Sequence, residues 1–539
     1  MTNKLIATLA AALLSSPQLA LTAAPAPSAP LSAQSAPSSQ VGCAAAVPQP
    51  PASTYRYDDA TQLWRLTDAA AGLALDSAAN RGIAYFDLQH REGDYRRVQE
   101  GGQRNQLEFY TERYQRVSRL LVAYGSFRFD IDRTKDRAWC DVMRPYNANP
   151  FMAGSSVSGK YDTQQFDLTA AIGTTQIWGL TAGLRLDYKV GDLSRLRDPR
   201  SRSELLDYKL TPSLAYTSEP HTIALSGHYN RRKEKIPGMT TVQQDPNLKY
   251  YLMSGMEQAT GTTGGYSGFS REWVDHRFGA ALTYGYNDGT TKSLNTVSIE
   301  RGSEDVLGQY KYEPGHYVSY RYGLNSMNRL RSGRLLHQID LQADYRQAYA
   351  DEYRQQLLQE RDADHGYTSY RYETLITFKK RYQVQTLDAS LHYRASVVDG
   401  SAVNNYLGAR VALSSAKNKH LLPESHLKYD HMNFTLEGGT SLLKSRRLWL
   451  DAEASYHLSA SSDLQLADAT TDYAVAVLLP DMPYYDANYW RGHLTLTYQF
   501  PLTIKGTRAQ WFVRAYGDYL KTNNSLYTAT IGAAIGIYY

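Results

Sequence analysis

Long stretches of this chain alternate between apolar and polar residues, and this alternation limits the fold more than any other feature of the sequence. The clearest stretch covers residues 447–458, where only Trp449 interrupts the polar row. Comparable stretches occupy residues 180–190, 386–397 and 493–500. A period of two residues predicts β-strands that have one apolar and one polar face. The sequence therefore predicts an all-β fold.

Two architectures use such strands, a soluble β-sandwich and a transmembrane barrel. Sandwich strands typically hold about 5–6 residues, whereas a tilted transmembrane strand needs about 9–11, which is closer to the stretches seen here. Tyrosine also outnumbers phenylalanine, 44 to 12, and its apolar ring with a polar tip suits a membrane interface. Tyrosines stand near the predicted strand ends at Tyr188, Tyr216, Tyr286, Tyr456 and Tyr498. These features predict a transmembrane antiparallel β-barrel.

The end of the chain supports the barrel. Ile535, Ile537 and the final Tyr539 share one apolar row, whereas Gly536 belongs to the lumen row. An apolar row that stops on a terminal aromatic residue resembles the assembly signal of bacterial outer-membrane barrels. We therefore expect the barrel assembly machinery to be a partner.

The strand count follows from parity, because bacterial barrels have even strand numbers and short inner turns. Counting from both ends gives about 20 strands, starting near Gly82, if residues 292–302 and 305–313 are separate strands. Residues 349–367 then form a long inner turn, which fits poorly. A count of 18 is the alternative.

The N-terminal region has the composition of an exported protein. Residues 1–33 resemble a signal peptide, with Lys4 before an apolar run and with cleavage after residue 23 or 33 as alternatives. Residues 34–57 are rich in Ala, Pro, Ser and Gln, which predicts a disordered linker. No later run of about 20 apolar residues exists, so a helical membrane protein is excluded.

Residues 58–539 are predicted to form one barrel domain with an N-terminal helical hatch. Within it, residues 58–75 have apolar side chains at helical spacing and are expected in or under the lumen. An exported chain also permits a disulfide between Cys43 and Cys140, although two free thiols are an equal alternative.

Three segments carry a family resemblance: residues 191–201 (GDLSRLRDPRS), 106–115 (QLEFYTERYQ) and 124–127 (YGSF). They resemble an uncharacterised outer-membrane β-barrel family of Bacteroidota, a domain of unknown function, over roughly residues 60–539. The resemblance implies an outer-membrane location and a barrel fold but no activity. The helical segment is also similar to the hatch of fatty-acid-transporter barrels. The segment before the first strand is too short for the plug domain of a TonB-dependent transporter.

A predicted outer loop carries four arginines near Asp192 and Asp198. In one interpretation they form a constriction that attracts anionic solutes, because ringed guanidinium groups select phosphate or carboxylate. In the other, the loop binds lipopolysaccharide phosphates or pairs its charges internally. These arginines are Arg195, Arg197, Arg200 and Arg202.

Two further groups of residues are candidate sites, and the first is a set of histidines. His420, His426 and His431 lie near Glu424 and Asp430 and are a weak candidate for a transition-metal site. Their spacing matches no tight motif, so we expect a polar loop, no metal and no other cofactor.

The pair His457 and Ser459 resembles the His-x-Ser arrangement of lipid-A deacylating barrels. Alternation turns His457 toward the lumen, however, and no third orienting group is visible in the sequence. We therefore expect no enzymatic activity.

Two functions remain open. The first is a narrow, partly plugged channel for a polar, anionic solute in the outer membrane of a Gram-negative bacterium, beside a TonB-dependent partner. The second is a non-conducting structural or interaction barrel, such as an export-complex component. In both, outer-membrane lipid and lipopolysaccharide are the surrounding partners. The net charge of +5 on 539 residues gives no reason to expect nucleic-acid binding.

Overall fold

The computed structural model describes residues 52–76, 80–144, 146–241, 248–263, 269–361, 367–443, 447–504 and 507–539. Most of these residues lie in long antiparallel strands. The strands are β1 (Arg81–Gly93), β2 (Gln103–Arg116), β3 (Leu121–Arg137), β4 (Ala153–Ser155), β5 (Gly159–Thr174), β6 (Leu180–Arg195), β7 (Arg200–Ser218), β8 (His221–Ile236), β9 (Met239–Thr240), β10 (Lys249–Gly255), β11 (Gln258–Thr263), β12 (Arg271–Asn287), β13 (Thr291–Gly308), β14 (Gly315–Ser332), β15 (Leu335–Arg361), β16 (Thr368–Asp399), β17 (Ala402–His420), β18 (Ser425–Ser441), β19 (Leu448–Gln465), β20 (Tyr489–Ile504), β21 (Thr507–Thr522) and β22 (Tyr527–Tyr538).

Eighteen of these strands form one closed antiparallel barrel. Each pairs with its neighbour in the chain, except that β3 pairs with β5 past β4 and β8 pairs with β12 across a long connection. The barrel closes where β1 pairs with β22, from Ile83 opposite Tyr538 to Gly93 opposite Thr528. Strands β4, β10 and β11 form a separate small sheet, and β9 pairs only with β7. We call the rim where β1 begins and β22 ends the terminal end, and the opposite rim the loop end.

The barrel fold is confirmed, and the strand number is the smaller of the two counts. Residues 292–302 and 305–313 are not two strands, because β13 continues without a break to Gly308. Residues 349–361 are not an inner turn either. They complete β15, which pairs with β16 beyond the point where β14 stops at Gly315, so this hairpin projects from the loop end.

Alternation along the strands places one row outside and one row inside, as the sequence predicts. The outer row is apolar and exposed, which is the pattern of a wall that meets lipid. It includes Phe86, Leu88, Leu214, Leu225, Phe278, Leu391, Leu407, Leu436, Leu494 and Ile531. The inner row is largely polar or charged. Trp449, which interrupts the polar row of β19, is fully buried on the lumen side.

A short helical segment precedes β1 and lies in the terminal end of the lumen. It comprises α1 (Ala52–Thr61) and two 3₁₀ helices, Trp64–Leu66 and Ala70–Leu75. The sequence predicts a disordered linker up to residue 57, but residues 52–57 already belong to helix α1. We call residues 52–76 the N-terminal plug.

The wall of the barrel is shaped to receive this plug. Two inner-row glycines, Gly173 on β5 and Gly183 on β6, face the backbone of Ala70 and Ala71. A Cβ on Gly173 would lie 2.4 Å from the Ala70 carbonyl oxygen, so only glycine permits this approach. The plug therefore contacts the wall through its backbone here.

Connections fold inward at the loop end. The small sheet of β4, β10 and β11, a π-helix (Ala474–Leu478) and helix α2 (Leu479–Asp486) together form what we call the loop cap. The cap shares an apolar core with the inner rows of the wall. This core includes Phe151, Ile236, Tyr250, Trp273, Val306, Tyr317, Val384, Tyr429 and Tyr485. None of the described helices is long and apolar enough to cross a membrane.

Candidate functional site

Polar cavities remain in the lumen between the plug and the loop cap. A central cavity of about 560 Å³ lies against β1, β2 and β16–β21. A second cavity of about 370 Å³ lies closer to the plug, and we call it the plug-side cavity. The two share four lining residues, Arg56, Arg394, Tyr406 and Arg514. This three-arginine junction is the candidate functional site.

Arg56 brings the plug to the junction. Both Nη atoms donate to the carboxylate of Asp451 on β19 at 2.8 Å, and the guanidinium lies 4.3 Å from the ring centre of Trp449. The hydroxyl of Tyr406 also donates to Asp451, at 2.8 Å. A bidentate pair with planar stacking fixes the orientation of the arginine as well as its charge. Asp451 thus holds the first turn of α1 against the wall.

Arg394 on β16 is held by the wall alone. Its Nε donates to Glu437 on β18 at 2.7 Å, and its guanidinium lies 4.3 Å from the ring centre of Tyr406. His392 Nε2 shares the same Glu437 oxygen at 2.8 Å. The remaining N–H groups of Arg394 make no hydrogen bond within the described part of the chain, so donors are left over at the cavity surface.

Arg514 on β21 has no such anchor. Among the described residues it makes neither a hydrogen bond nor an ion pair, and its one close contact is a ring, that of Phe512 at 5.3 Å. Its side chain lines both cavities. An arginine carries five N–H donors, so this side chain offers a full set to whatever enters the lumen.

Other ionic contacts fasten the plug around the whole wall. Asp68 accepts from Lys209 on β7 at 2.5 Å, and Arg329 on β14 donates to the Ala60 carbonyl at 2.6 Å. Asp59 accepts from Arg65 at 2.6 Å and from Arg81 at 2.5 Å. The plug also packs apolar side chains such as Leu63, Trp64 and Leu73 against inner-row residues of the wall, so charge pairs and apolar packing seat it together.

The loop cap is fastened by an arginine that enters from the connection between β3 and β4. Glu304 and Asp275 stand directly opposite each other on β13 and β12, and both are buried. Facing carboxylates repel. Arg144 lies between them, bonded to Glu304 and 3.6 Å from Asp275. Its guanidinium compensates Glu304 and, together with Arg277, Asp275, and so ties the connection to the wall.

A buried carboxyl group makes a second contact within the loop cap. Asp481 of α2 accepts from the backbone N–H of Val98 at 2.7 Å and is nearly inaccessible. Burial raises its pKa to about 7, against smaller opposing effects from this hydrogen bond and from Arg97. The contact joins the connection after β1 to the connection after β19.

The four arginines predicted as an anion constriction do not surround a pore. Arg195 is buried and donates to Tyr161 Oη at 2.6 Å and to two backbone carbonyls, and Arg197 donates to the Ser158 carbonyl at 3.0 Å. Arg200 and Arg202 belong to the outer row of β7 and pair with Asp198 and Asp192. Their charges are thus used locally or face outward, which corrects the constriction hypothesis.

The histidines of the predicted metal candidate point to different partners. His420 is buried beside the Pro423 carbonyl, His426 contacts Asp463 at 2.7 Å, and His431 contacts the Tyr485 carbonyl at 2.9 Å. The part of the chain that the structure describes contains no group of three or more metal-ligating side chains.

His457 and Ser459 both lie on the lumen side of β19, as alternation predicts. His457 stacks on Tyr489 at 4.4 Å, whereas Ser459 Oγ donates to the Tyr485 carbonyl at 2.7 Å. The two side chains are thus engaged elsewhere and are not bonded to each other.

Cys140 is buried and donates its Sγ–H to the Val142 carbonyl at 3.2 Å. Its predicted partner Cys43 lies outside the described residues. At the chain end, Ile535 is half exposed in the outer row and Gly536 faces inward, as predicted. The role of Ile535, Ile537 and Tyr539 as an assembly signal stays a prediction.

The junction itself was missed in the sequence, although one signal was present. Alternation assigns Arg394 to the polar row of its strand, and the same reasoning assigns Arg514 to the lumen row of β21. What alternation does not show is that strands β16 and β21 and the plug place these groups around one cavity.

Several outer-membrane proteins of solved structure resemble this chain in overall architecture. The outer-membrane transporter YddB from Escherichia coli is 8% identical with a TM-score of 0.40, over 85% of this chain and 80% of that one. The outer-membrane protein OpdK from Pseudomonas aeruginosa is 8% identical with a TM-score of 0.35, over 86% and 99%. The copper transporter OprC is 11% identical with a TM-score of 0.36, over 85% and 81%. Likeness at this level says nothing about location or activity.

No curated protein matches the sequence. A family of unknown function does, over residues 70–539, which begins within the plug and includes every barrel strand. The match covers most of the chain, including β16, β19 and β21, which carry the wall residues of the junction. The protein therefore belongs to the family of unknown function DUF6850.

Proposed function

We propose that this protein resides in the outer membrane of a Gram-negative bacterium. The supporting observation is the closed barrel itself, whose outer row is apolar and exposed on strand after strand. A closed barrel leaves no unpaired strand edge in lipid, and an apolar outer wall would be unfavourable in water. In this orientation the short turns of the terminal end face the periplasm.

Within that membrane, the barrel acts as a closed, gated channel for a polar solute. The observation that carries this proposal is the polar lumen held between two separate closures, the plug and the loop cap. Both closures depend on ion pairs at the wall, Arg56 with Asp451 and Arg144 with Glu304. Apolar side chains of the plug and the cap pack against the wall beside these pairs, so opening either closure must separate both kinds of contact.

Conductance in planar bilayers tests this function. The intact protein should conduct poorly. Deletion of residues 54–75 together with Arg144→Gln should raise conductance, because it removes the plug and loosens the cap. Deletion of residues 54–75 alone serves as the matched control and should give a smaller rise. A barrel that inserts but conducts no ions in all three forms would contradict the channel.

A structural or interaction barrel is the second candidate, and one observation favours it. The loop cap shares a contiguous apolar core with the wall, like the interior of a soluble domain. Such packing is expected of a lumen that never opens. In that case the barrel that lacks residues 54–75 and carries Arg144→Gln would lose stability without gaining conductance.

Lipopolysaccharide, the barrel assembly machinery and a TonB-dependent transporter are proposed partners. For the lipid, support comes from Arg200 and Arg202, which stand in the outer row near the loop end. Guanidinium groups at that height can bind lipid phosphates. For the assembly machinery, support comes from the apolar row that ends at Tyr539.

A further inference from the structure

The plug-side cavity is electropositive. Its lining includes three arginines, Arg56, Arg394 and Arg514, and a single carboxylate, Asp59. Asp59 already accepts hydrogen bonds from both Arg65 and Arg81, so its charge is compensated on the plug side. Arg56 and Arg394 are in turn paired with Asp451 and Glu437, so the uncompensated positive charge at the cavity is that of Arg514.

The three arginines differ in how far they are engaged. Arg56 and Arg394 each have a carboxylate partner, Asp451 and Glu437, which fixes their orientation. Arg514 lacks both a hydrogen bond and an ion pair within the described chain. A site in which two guanidinium groups are oriented and a third is unpaired is prepared for an incoming anion, because little reorganisation is needed on binding.

Neutral polar side chains complete the lining, although the hydroxyl groups of Tyr55 and Tyr406 already donate to Glu112 and Asp451. The cavity also presents Tyr55, Tyr406, Tyr538, Gln338 and Ser396. Its volume of about 370 Å³ lies at the lower end of small-molecule sites, which span about 300–1,000 Å³. A compact organic anion therefore fits, whereas an oligomer does not.

We propose that the plug-side cavity binds the oxyanion group, carboxylate or phosphate, of a small solute between Arg514, Arg394 and Arg56. This proposal rests on the channel function and names the class of solute that the channel takes. Because Arg56 belongs to the plug, an anion at this site competes with Asp451 for the same guanidinium. Binding is in this way linked to the contact that seats α1.

Calorimetric titration of the purified full-length barrel in detergent tests the site. The probes are succinate, inorganic phosphate and, as the uncharged comparison, sucrose. Titrations are made with the intact chain and with Arg144→Gln, whose loosened cap gives access from the loop end. We expect at least one of the two anions to bind and sucrose not to bind.

Arg514→Gln should weaken anion binding by at least about 10-fold, since charge-assisted hydrogen bonds are lost. The matched control is Arg410→Gln, which removes another exposed lumen guanidinium outside both cavity linings. Its affinity should change less than twofold. Because Arg514 makes no hydrogen bond, its variant should keep the heat-modifiable migration of a folded barrel.

Three outcomes overturn the site: no anion binding in either chain, unchanged binding in Arg514→Gln, or equal losses in both arginine variants. Each leaves the channel standing if the plug-deleted, cap-loosened barrel conducts. Anion binding without conductance in the intact, plug-deleted or cap-loosened barrel would support the anion site and contradict the channel function.

Discussion

Gly183 on strand β6 and Ala71 in the plug are in direct contact through their backbones. A Cβ atom on Gly183 would lie 2.2 Å from the Ala71 nitrogen, which is far inside van der Waals contact. The Ala71 N–H also donates to Ser213 Oγ on β7 at 2.9 Å. Because Gly183 has no Cβ atom, the last turn of the plug can lie directly against the backbone of β6.

Gly183→Ala should displace the plug without changing any charge. The added methyl group meets backbone atoms, which cannot rotate away, so we expect a cost of about 1–3 kcal/mol in plug docking. Hydrogen exchange of residues 70–75 should become faster. Gly227→Ala is the control, because its Cβ would find its nearest neighbour at 3.8 Å. Equal exchange in both variants would show that the plug is not seated there.

Arg144→Gln should release the connection that carries it. The change leaves Glu304 and Asp275 buried and facing each other without this cation, and breaking a buried pair costs about 3–5 kcal/mol. Hydrogen exchange of residues 138–144 should therefore accelerate. Arg202→Gln, at an exposed pair with Asp192, should change stability by less than about 1 kcal/mol. Similar effects of the two changes would refute Arg144 as the anchor.

Ile535→Asp should lower the amount of barrel in the membrane. The side chain stands in the outer row, where a charge costs up to about 2–4 kcal/mol depending on depth and residue type. Gly536→Asp is not a clean control, since a Cβ there would lie 2.4 Å from the Phe512 ring. Thr530→Asp is better, because it faces inward on β22 beside Arg91. Heat-modifiable bands of equal intensity for both would contradict the assigned facing.

The burial of Asp481 within the loop cap should become less favourable as the pH rises. Burial raises the pKa of Asp481 from 3.8 to about 7. Between these values the folded state keeps the proton that the unfolded state has lost, so stability falls with rising pH, by up to about 1.4 kcal/mol per unit. Below about pH 4 the full stability is present.

Protease protection of residues 93–103 between pH 5 and pH 8 measures this effect. Protection should decrease with pH in the natural chain and should be flat in Asp481→Asn. Asp468→Asn, at an exposed loop residue, should keep the slope of the natural chain. An unchanged slope in Asp481→Asn would assign the titration to another group.

The strands of the barrel wall can be predicted from local sequence, whereas the positions of the plug and the loop cap cannot. Alternation in β19 assigns Asp451 and His457 to the lumen and Leu450 to the outer row, because side chains of a strand point to opposite faces. The break proposed between residues 302 and 305 was wrong for a different reason. It came from counting strands by parity, whereas Glu304 lies inside β13 and is bonded to Arg144, 160 positions away.

The candidate site shows the same division. The polar rows of the strands correctly indicate which arginines face the lumen. The dense charges of residues 195–202, however, favoured an anion site in a segment whose arginines bond to nearby carbonyl, hydroxyl and carboxylate groups. Arg514 forms no ion pair among the described residues, although it lines the central cavity together with Glu108, Glu437 and Asp451. The lack of an ion-pair partner results from the packing of strands that are distant in sequence, and no local sequence motif shows it.

The seam between β1 and β22 is also a contact surface of the plug. Tyr55 in α1 packs against Tyr538 of β22 and Phe512 of β21, and Arg81 at the start of β1 pairs with Asp59. The first and last strands of the barrel are therefore bridged by the segment that precedes them in the chain. A substitution such as Tyr55→Ala would thus remove a lumen contact and a contact beside the closure of the ring at the same time.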